Sequence, residues 1–281
     1  MTTLATRPGR ASSALDLLVP MAVIVRWRTA LWQFLLRAIA RRYRASAFGL
    51  VWMMIVPLAT LAIYTFVFGV VLQSRWDNPG SAEIPFSLNL FAGLLVFWIM
   101  ADGLAQAMGA VVAHTNLVKR ALFPLEIMPV VTIVDSAFHG LINTVILLAA
   151  VLALGGQVPP TAALFPLVMI PFLVLLVGLA WIVAALGVFF RDLGQVIGLL
   201  MTGALFMSPV FYAVDRLSPG LQTAISFNPV SLIVVQARHV LLEGRMPDWT
   251  ALALYLAVAW AVMALGLAFF RRARATFADV L

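Results

Sequence analysis

Asp135 and His139 stand four residues apart, the spacing that places two side chains on one face of a helix. A carboxylate and an imidazole so placed can relay a proton or form a hydrogen-bonded pair, and both readings stay open. Asp102 and Gln106 repeat the spacing with an amide for the imidazole, which suits a structural hydrogen bond. The three histidines, His114, His139 and His239, are too scattered to suggest a metal site, and there is no cysteine to supply a thiolate. The single lysine, Lys119, follows no glycine-rich loop, so the P-loop route to ATP hydrolysis is absent. Neither the His-Glu-x-x-His zinc pattern nor the Gly-x-Ser-x-Gly nucleophile elbow occurs, and no Asp-x-Asp cluster is present to hold a metal-bound phosphate. The residues point to a chain with no catalytic machinery of its own.

The elements that carry these groups are built for lipid. Hydrophobic residues make up 64% of the 281 positions and charged residues 10%, with a mean hydropathy of +1.07. Soluble domains run near ~45–50% apolar and ~25% charged, so the excess must face a solvent other than water. Apolar runs at 50–72, 84–113, 127–154, 162–190, 194–214 and 249–270 are each long enough to cross a bilayer core of ~30 Å as helices. Asp102 falls in the second run, and Asp135 with His139 in the third. The net charge of +7 would suggest nucleic acid in a soluble domain. Here the basic residues flank apolar runs, where they set topology and meet anionic head groups instead. With the N-terminus inside, 14 of the 18 lysines and arginines fall on the cytoplasmic side, which fixes the orientation and puts both ends in the cytoplasm.

Three further segments are expected not to cross. Residues 1–26 contain Arg7 and Arg10 before an apolar stretch, but Asp16, Pro20 and the following Arg26, Trp27 and Arg28 argue against a cleaved signal; they read as a cytoplasmic lead. Residues 27–46 set Arg37, Arg41 and Arg44 on one side and Trp32, Leu35, Leu36 and Ile39 on another, the pattern of an amphipathic helix at the membrane surface. Between Asp215 and Asp248, Ser218 with Pro219 and Asn228 with Pro229 are each a capping residue followed by a first-turn proline. The apolar run 230–242 is too short to cross, and Gly244 can end it. The fold expected is therefore an all-α integral membrane protein: six transmembrane helices over residues 47–271, an N-terminal interface helix, two short re-entrant or interfacial helices between the fifth and sixth spans, and a tail at 272–281.

Arg42, Tyr43, Arg44, Ala45 and Ser46, then Gly49, Trp52 and Pro57, are where the chain begins to resemble a known family. Phe189, Phe190, Arg191, Asp192 and Leu193 continue the resemblance, as do Ser208, Pro209 and Val210. So do Asn228 and Pro229 through Arg238, His239, Leu241, Leu242 and Gly244, and the ending Phe277, Ala278 and Asp279. In their order and spacing they resemble the ABC-2 type permeases that export polysaccharides, in particular the O-antigen (lipopolysaccharide) export permeases.

That resemblance implies a half-transporter of the bacterial inner membrane. Two copies of the chain would pair around a path for a lipid-linked glycan, and two separate ATPase subunits, carrying the ATP and magnesium, would dock from the cytoplasm. It implies a coupling loop at 114–126, with Asn116, Lys119, Arg120, Phe123, Pro124 and Glu126 meeting the ATPase. Arg41, Arg42, Tyr43 and Arg44 would form the cytoplasmic entrance, and Arg191 with Asp192 a short cytoplasmic turn. Asn228, Pro229, Arg238 and His239 would belong to the outer helices at the exit. A permease of the same layout for capsule, teichoic acid, a small lipid or a drug is the nearest alternative, followed by a proton-coupled transporter that uses Asp135 and His139.

Overall fold

The computed structural model describes residues 19–43, 48–73, 84–118, 124–190, 192–214 and 217–281. Among these the chain is all helix, without strands. Arg44, Lys119, Arg120, Phe123 and Arg191, most of the 1–26 lead, and the side chain of Tyr43 lie outside the described residues.

Helix α1 (Val19–Arg26) runs into α2 (Arg28–Tyr43). The first long helix, α3 (Trp52–Tyr64), continues through a π-helical stretch, Thr65–Val71. Helix α4 (Phe86–Gly109) follows Pro85, whose extended backbone starts it cleanly. A short 3₁₀ turn and α5 (Thr115–Val118) lead towards α6 (Ile127–Ala153). After a turn at Gly155, Pro159 and Pro160 open the run into α7 (Phe165–Phe189).

The next helix departs from expectation. The sequence reading placed a span at 194–214, but α8 (Leu193–Met207) stops after 15 residues because Ser208 turns extended before Pro209. At ~1.5 Å per residue such a helix is about 22 Å long, short of a ~30 Å core. Among the described residues five helices are long and apolar enough to cross: Trp52–Val71, Phe86–Gly109, Ile127–Ala153, Pro160–Phe189 and Trp249–Arg274.

The two short helices follow where the capping signals put them. These are α9 (Pro219–Ser226) and α10 (Pro229–Arg238), the latter extended by a π turn to Glu243. They meet at 101°, so the pair is either one broken span or a re-entrant loop. Asn228 accepts a hydrogen bond from the Val230 backbone N–H at 3.0 Å, and Gly244 ends the element in the left-handed region at φ 70°. Ser218 holds the cap position of α9 without a side-chain cap bond. Asp248 then caps α11 (Trp249–Arg274), and α12 (Phe277–Val280) closes the chain.

Helices α4 and α7 form the centre of the bundle. Helix α6 packs on α4, α11 on α7, and α10 on α4 from one end, while α2 lies against α6. The most apolar window of α4 is 78% buried, whereas that of α3 is 11% buried and stands on the rim. In α8 only Ile197 is buried.

In lipid there is little hydrophobic gain in bringing helices together, so close backbone packing must supply it. Gly178 and Gly266 do this between α7 and α11. A Cβ on Gly178 would meet the Met263 backbone at 2.7 Å, and one on Gly266 would strike the Gly178 carbonyl oxygen. Gly178→Val should therefore force α7 and α11 apart and cost about 1–3 kcal/mol of stability. The check is the melting midpoint of the detergent-purified protein, which should fall; an unchanged midpoint would show that the contact is dispensable.

Candidate functional site: charged junctions of a membrane bundle

Arg42 reaches from the last turn of α2 to two carboxylates on two different helices. Its Nη1 donates to Asp102 Oδ2 at 2.9 Å and its Nη2 to Asp102 Oδ1 at 3.2 Å, a paired geometry that fits guanidinium to carboxylate. Nη1 also reaches Asp135 Oδ2 at 3.4 Å. Asp102 is held ready for this by Ser136 Oγ at 2.8 Å and by Gln106 Nε2 at 2.9 Å. Asp135 is 1% exposed and Asp102 33% exposed, so one partly solvated arginine answers two acids, the deeper of them shut away from water. A carboxylate in that position needs a countercharge.

His139 lies beside the same carboxylate. Its Nδ1 sits 2.8 Å from the backbone carbonyl of Asp135, one turn back in α6, and 3.9 Å from the Asp135 carboxylate. Arg42 is a further ion-pair partner of Asp135, which the helical spacing of α6 gave no reason to suspect.

Arg41 points elsewhere, into a cavity of about 680 Å³ beneath α2. Arg37, Gln106, His114, Asn116 and Thr132 share its wall, so Arg41 and Asn116, assigned to different roles from the sequence, face one space. Arg37 lies over the Phe34 ring at 5.3 Å, and Phe34 meets His114 edge-on. Leu35 is turned inward, whereas Trp32 and Leu36 are exposed. The apolar residues of α2 thus split between two sides, one packed on the bundle and one free.

The far end of the 114–126 segment is bound to its own chain. Leu125 and Glu126 are buried, with Pro124 beside them. Arg274 Nη1 donates to both Glu126 carboxylate oxygens at 3.0 Å, and the buried Trp181 Nε1 donates to the Glu126 carbonyl at 2.8 Å. Asp192 is exposed and precedes α8 without capping it.

At the opposite end of the bundle Arg238 is 4% exposed and satisfies three carbonyls, those of Asn89, Pro209 and Val210, at 3.0, 2.6 and 2.8 Å. It bolts α10 to the start of α4 and to the turn after α8. Gly93 leaves room for the guanidinium, since a Cβ there would come within 2.8 Å of Arg238 Nη2. Asn228 also donates to Ser208 Oγ at 3.0 Å, and His239 lies 3.9 Å from Glu243 one turn away. Arg238 and Asn228 thus join elements, and Pro229 starts α10. Among the described residues no group of three or more histidine, aspartate or glutamate side chains could hold a metal ion.

Arg42→Gln should leave Asp135 without its countercharge and destabilise the protein by about 1–3 kcal/mol, below the ~3–5 kcal/mol of a fully buried pair because Arg42 is partly solvated. Adding Asp135→Asn should restore much of the loss. Thermal unfolding of the two variants in detergent measures this, and a double variant no better than the single would refute the pairing.

A family model described as ABC-2 type transporter matches residues 29–242. The O-antigen export system permease protein RfbA of Myxococcus xanthus is 26% identical over 262 residues, covering 91% of this chain and 96% of that protein. RfbA of Klebsiella pneumoniae is 24% identical over 242 residues, covering 85% and 90%. The polysialic acid transport protein KpsM of Escherichia coli is 21% identical over 239 residues, covering 84% and 90%. With the family model spanning three quarters of the sequence, across every long apolar helix but the last, the chain belongs to the ABC-2 type transporter membrane family.

Proposed function

We propose that this chain is the membrane subunit of an exporter that moves a lipid-linked polysaccharide outward across the bacterial inner membrane, powered by a separate ATPase. The observation that carries this reading is similarity over at least 84% of the chain to permeases named for O-antigen export and polysialic acid transport. Physical chemistry supports the division of labour. A bundle of apolar helices with no P-loop pattern has no nucleotide site of that kind, which fits energy arriving from a neighbouring polypeptide.

The placement of charge supports an orientation with both ends in the cytoplasm, since α1, α2, the 114–126 segment and the arginines of α11 then share one side. Helix α2 would lie at that surface, its exposed Trp32 and Leu36 in the headgroup layer. The cavity holding Arg37 and Arg41 would face the incoming diphosphate of the carrier lipid. On the outer side the bent pair α9 and α10 would border the exit, and taken as one broken span it would supply a sixth crossing.

Helices α3 and α8 support pairing with a second copy. With its π-helical continuation α3 exposes Ile63, Phe66 and Val70, and α8 exposes Leu199 and Phe206, in a chain that buries its other long helices better. Two copies facing each other would give the path its second wall. Two ATPases would dock on the 114–126 segments, and ATP-driven closure of that pair would shift them and open the path.

Phe123→Asp tests docking directly. It should cut surface polysaccharide by about tenfold or more and release the ATPase from the purified permease, as loss of a central apolar anchor does. Export at the unsubstituted level would remove 114–126 as the docking segment.

A further inference from the structure

The 114–126 segment has two unlike ends. At its start Asn116 is exposed, as are Val112 and Ala113 just before it. Its finish belongs to the body of the bundle, because Leu125 is 2% exposed and the Glu126 side chain 9% exposed. Glu126 is gripped from two helices at once. Arg274 of α11 donates to both carboxylate oxygens at 3.0 Å, and Arg271, one turn earlier, brings Nε to 3.7 Å. The Glu126 carbonyl takes the Trp181 indole N–H of α7 at 2.8 Å, and Trp181 is fully buried.

The arginine end of this clamp is itself anchored. Beyond α11 the chain turns back, and Phe277 is fully buried against Phe270 and Phe189, with ring centroids 5.5 and 5.9 Å apart. Arg274 therefore stands on a closed corner of α11, α12 and α7 and not on a fraying end. Helices α7 and α11 are in turn the pair locked by Gly178 and Gly266.

We infer that Glu126 and Arg274 are positioning residues that carry movement of the 114–126 segment into the α7–α11 pair. This rests on the reading that an ATPase docks on that segment. A push delivered along the segment cannot be absorbed at Glu126 by sliding, because the carboxylate and the carbonyl are fixed to different helices. It is passed on instead as a shift of α7 and α11 together, while α6, which begins at Ile127, moves with them. Solvent screens part of the pair, since Arg274 is 30% exposed and Arg271 40%, while the Glu126 carboxylate is 9% exposed.

The test compares Glu126→Gln, Arg274→Gln and the double variant with the unsubstituted permease, each purified with the ATPase that accompanies it. Three quantities are read: ATPase retained, ATP turnover of the complex, and polysaccharide delivered to the surface. The clamp predicts retention and turnover within about twofold of the unsubstituted complex while export falls about tenfold, the range for residues that carry coupling. The double variant should export no less than the weaker single one, as for two residues acting as a unit. Arg274→Lys, which keeps the charge without the paired geometry, should recover part of the export. Unchanged export in both single variants overturns the inference, as does an equal fall of all three quantities, which marks a merely structural contact. If the unsubstituted chain retains no ATPase, the permease reading itself fails and the clamp with it.

Discussion

A charge inside a membrane bundle has no water to answer it, so the protein must supply the answer, and this chain does so by drawing distant segments together. Arg42 answers Asp102 and Asp135, and in doing so ties α2 to both α4 and α6. Arg238 answers three carbonyls and ties α10 to α4 and the turn after α8. Glu126 answers Arg274 and ties the start of α6 to α11. These charged residues thus act as cross-links between distant segments. Each is placed where two or three elements that apolar contact alone would leave free to slide must keep a fixed register.

Between these cross-links the helices are held by fit. Glycines let α7 and α11 touch backbone to backbone, and similar notches at Gly103 and Gly140 receive Ile133 and Ile99 where α4 meets α6. The result is uneven. The α4–α7 centre is tightly packed, and α3 and α8 stand apart with large apolar surfaces. A rigid centre with loosely held outer helices suits a subunit that must open a path at its rim while force enters at its base.

Much of this could be read from the sequence, because membrane helices announce themselves by length and polarity. The long spans, the capping prolines of α9 and α10 and the left-handed Gly244 are local signals with local causes. The fifth span was overestimated because hydropathy averages across Pro209, whereas the helix cannot. What stayed hidden was the pairing. Asp135 has a helical neighbour in His139 four residues on, so the spacing suggested that partner, yet its countercharge lies 93 residues earlier. Asp102 looked structural beside Gln106, and it is that, but it is also the main anchor of Arg42. Glu126 appeared as one residue of a polar loop; its burial beneath α7 and α11 depends on contacts 55 and 148 residues away, which no periodicity encodes.

The functional account turns on the division between a conduit and its motor. Purified permease reconstituted in liposomes, with and without the ATPase that accompanies it, separates the two. Outward movement of a lipid-linked glycan should require both the ATPase and ATP and should vanish when either is left out. Transport by this chain alone, driven by a proton gradient or by nucleotide it turns over itself, would contradict the account.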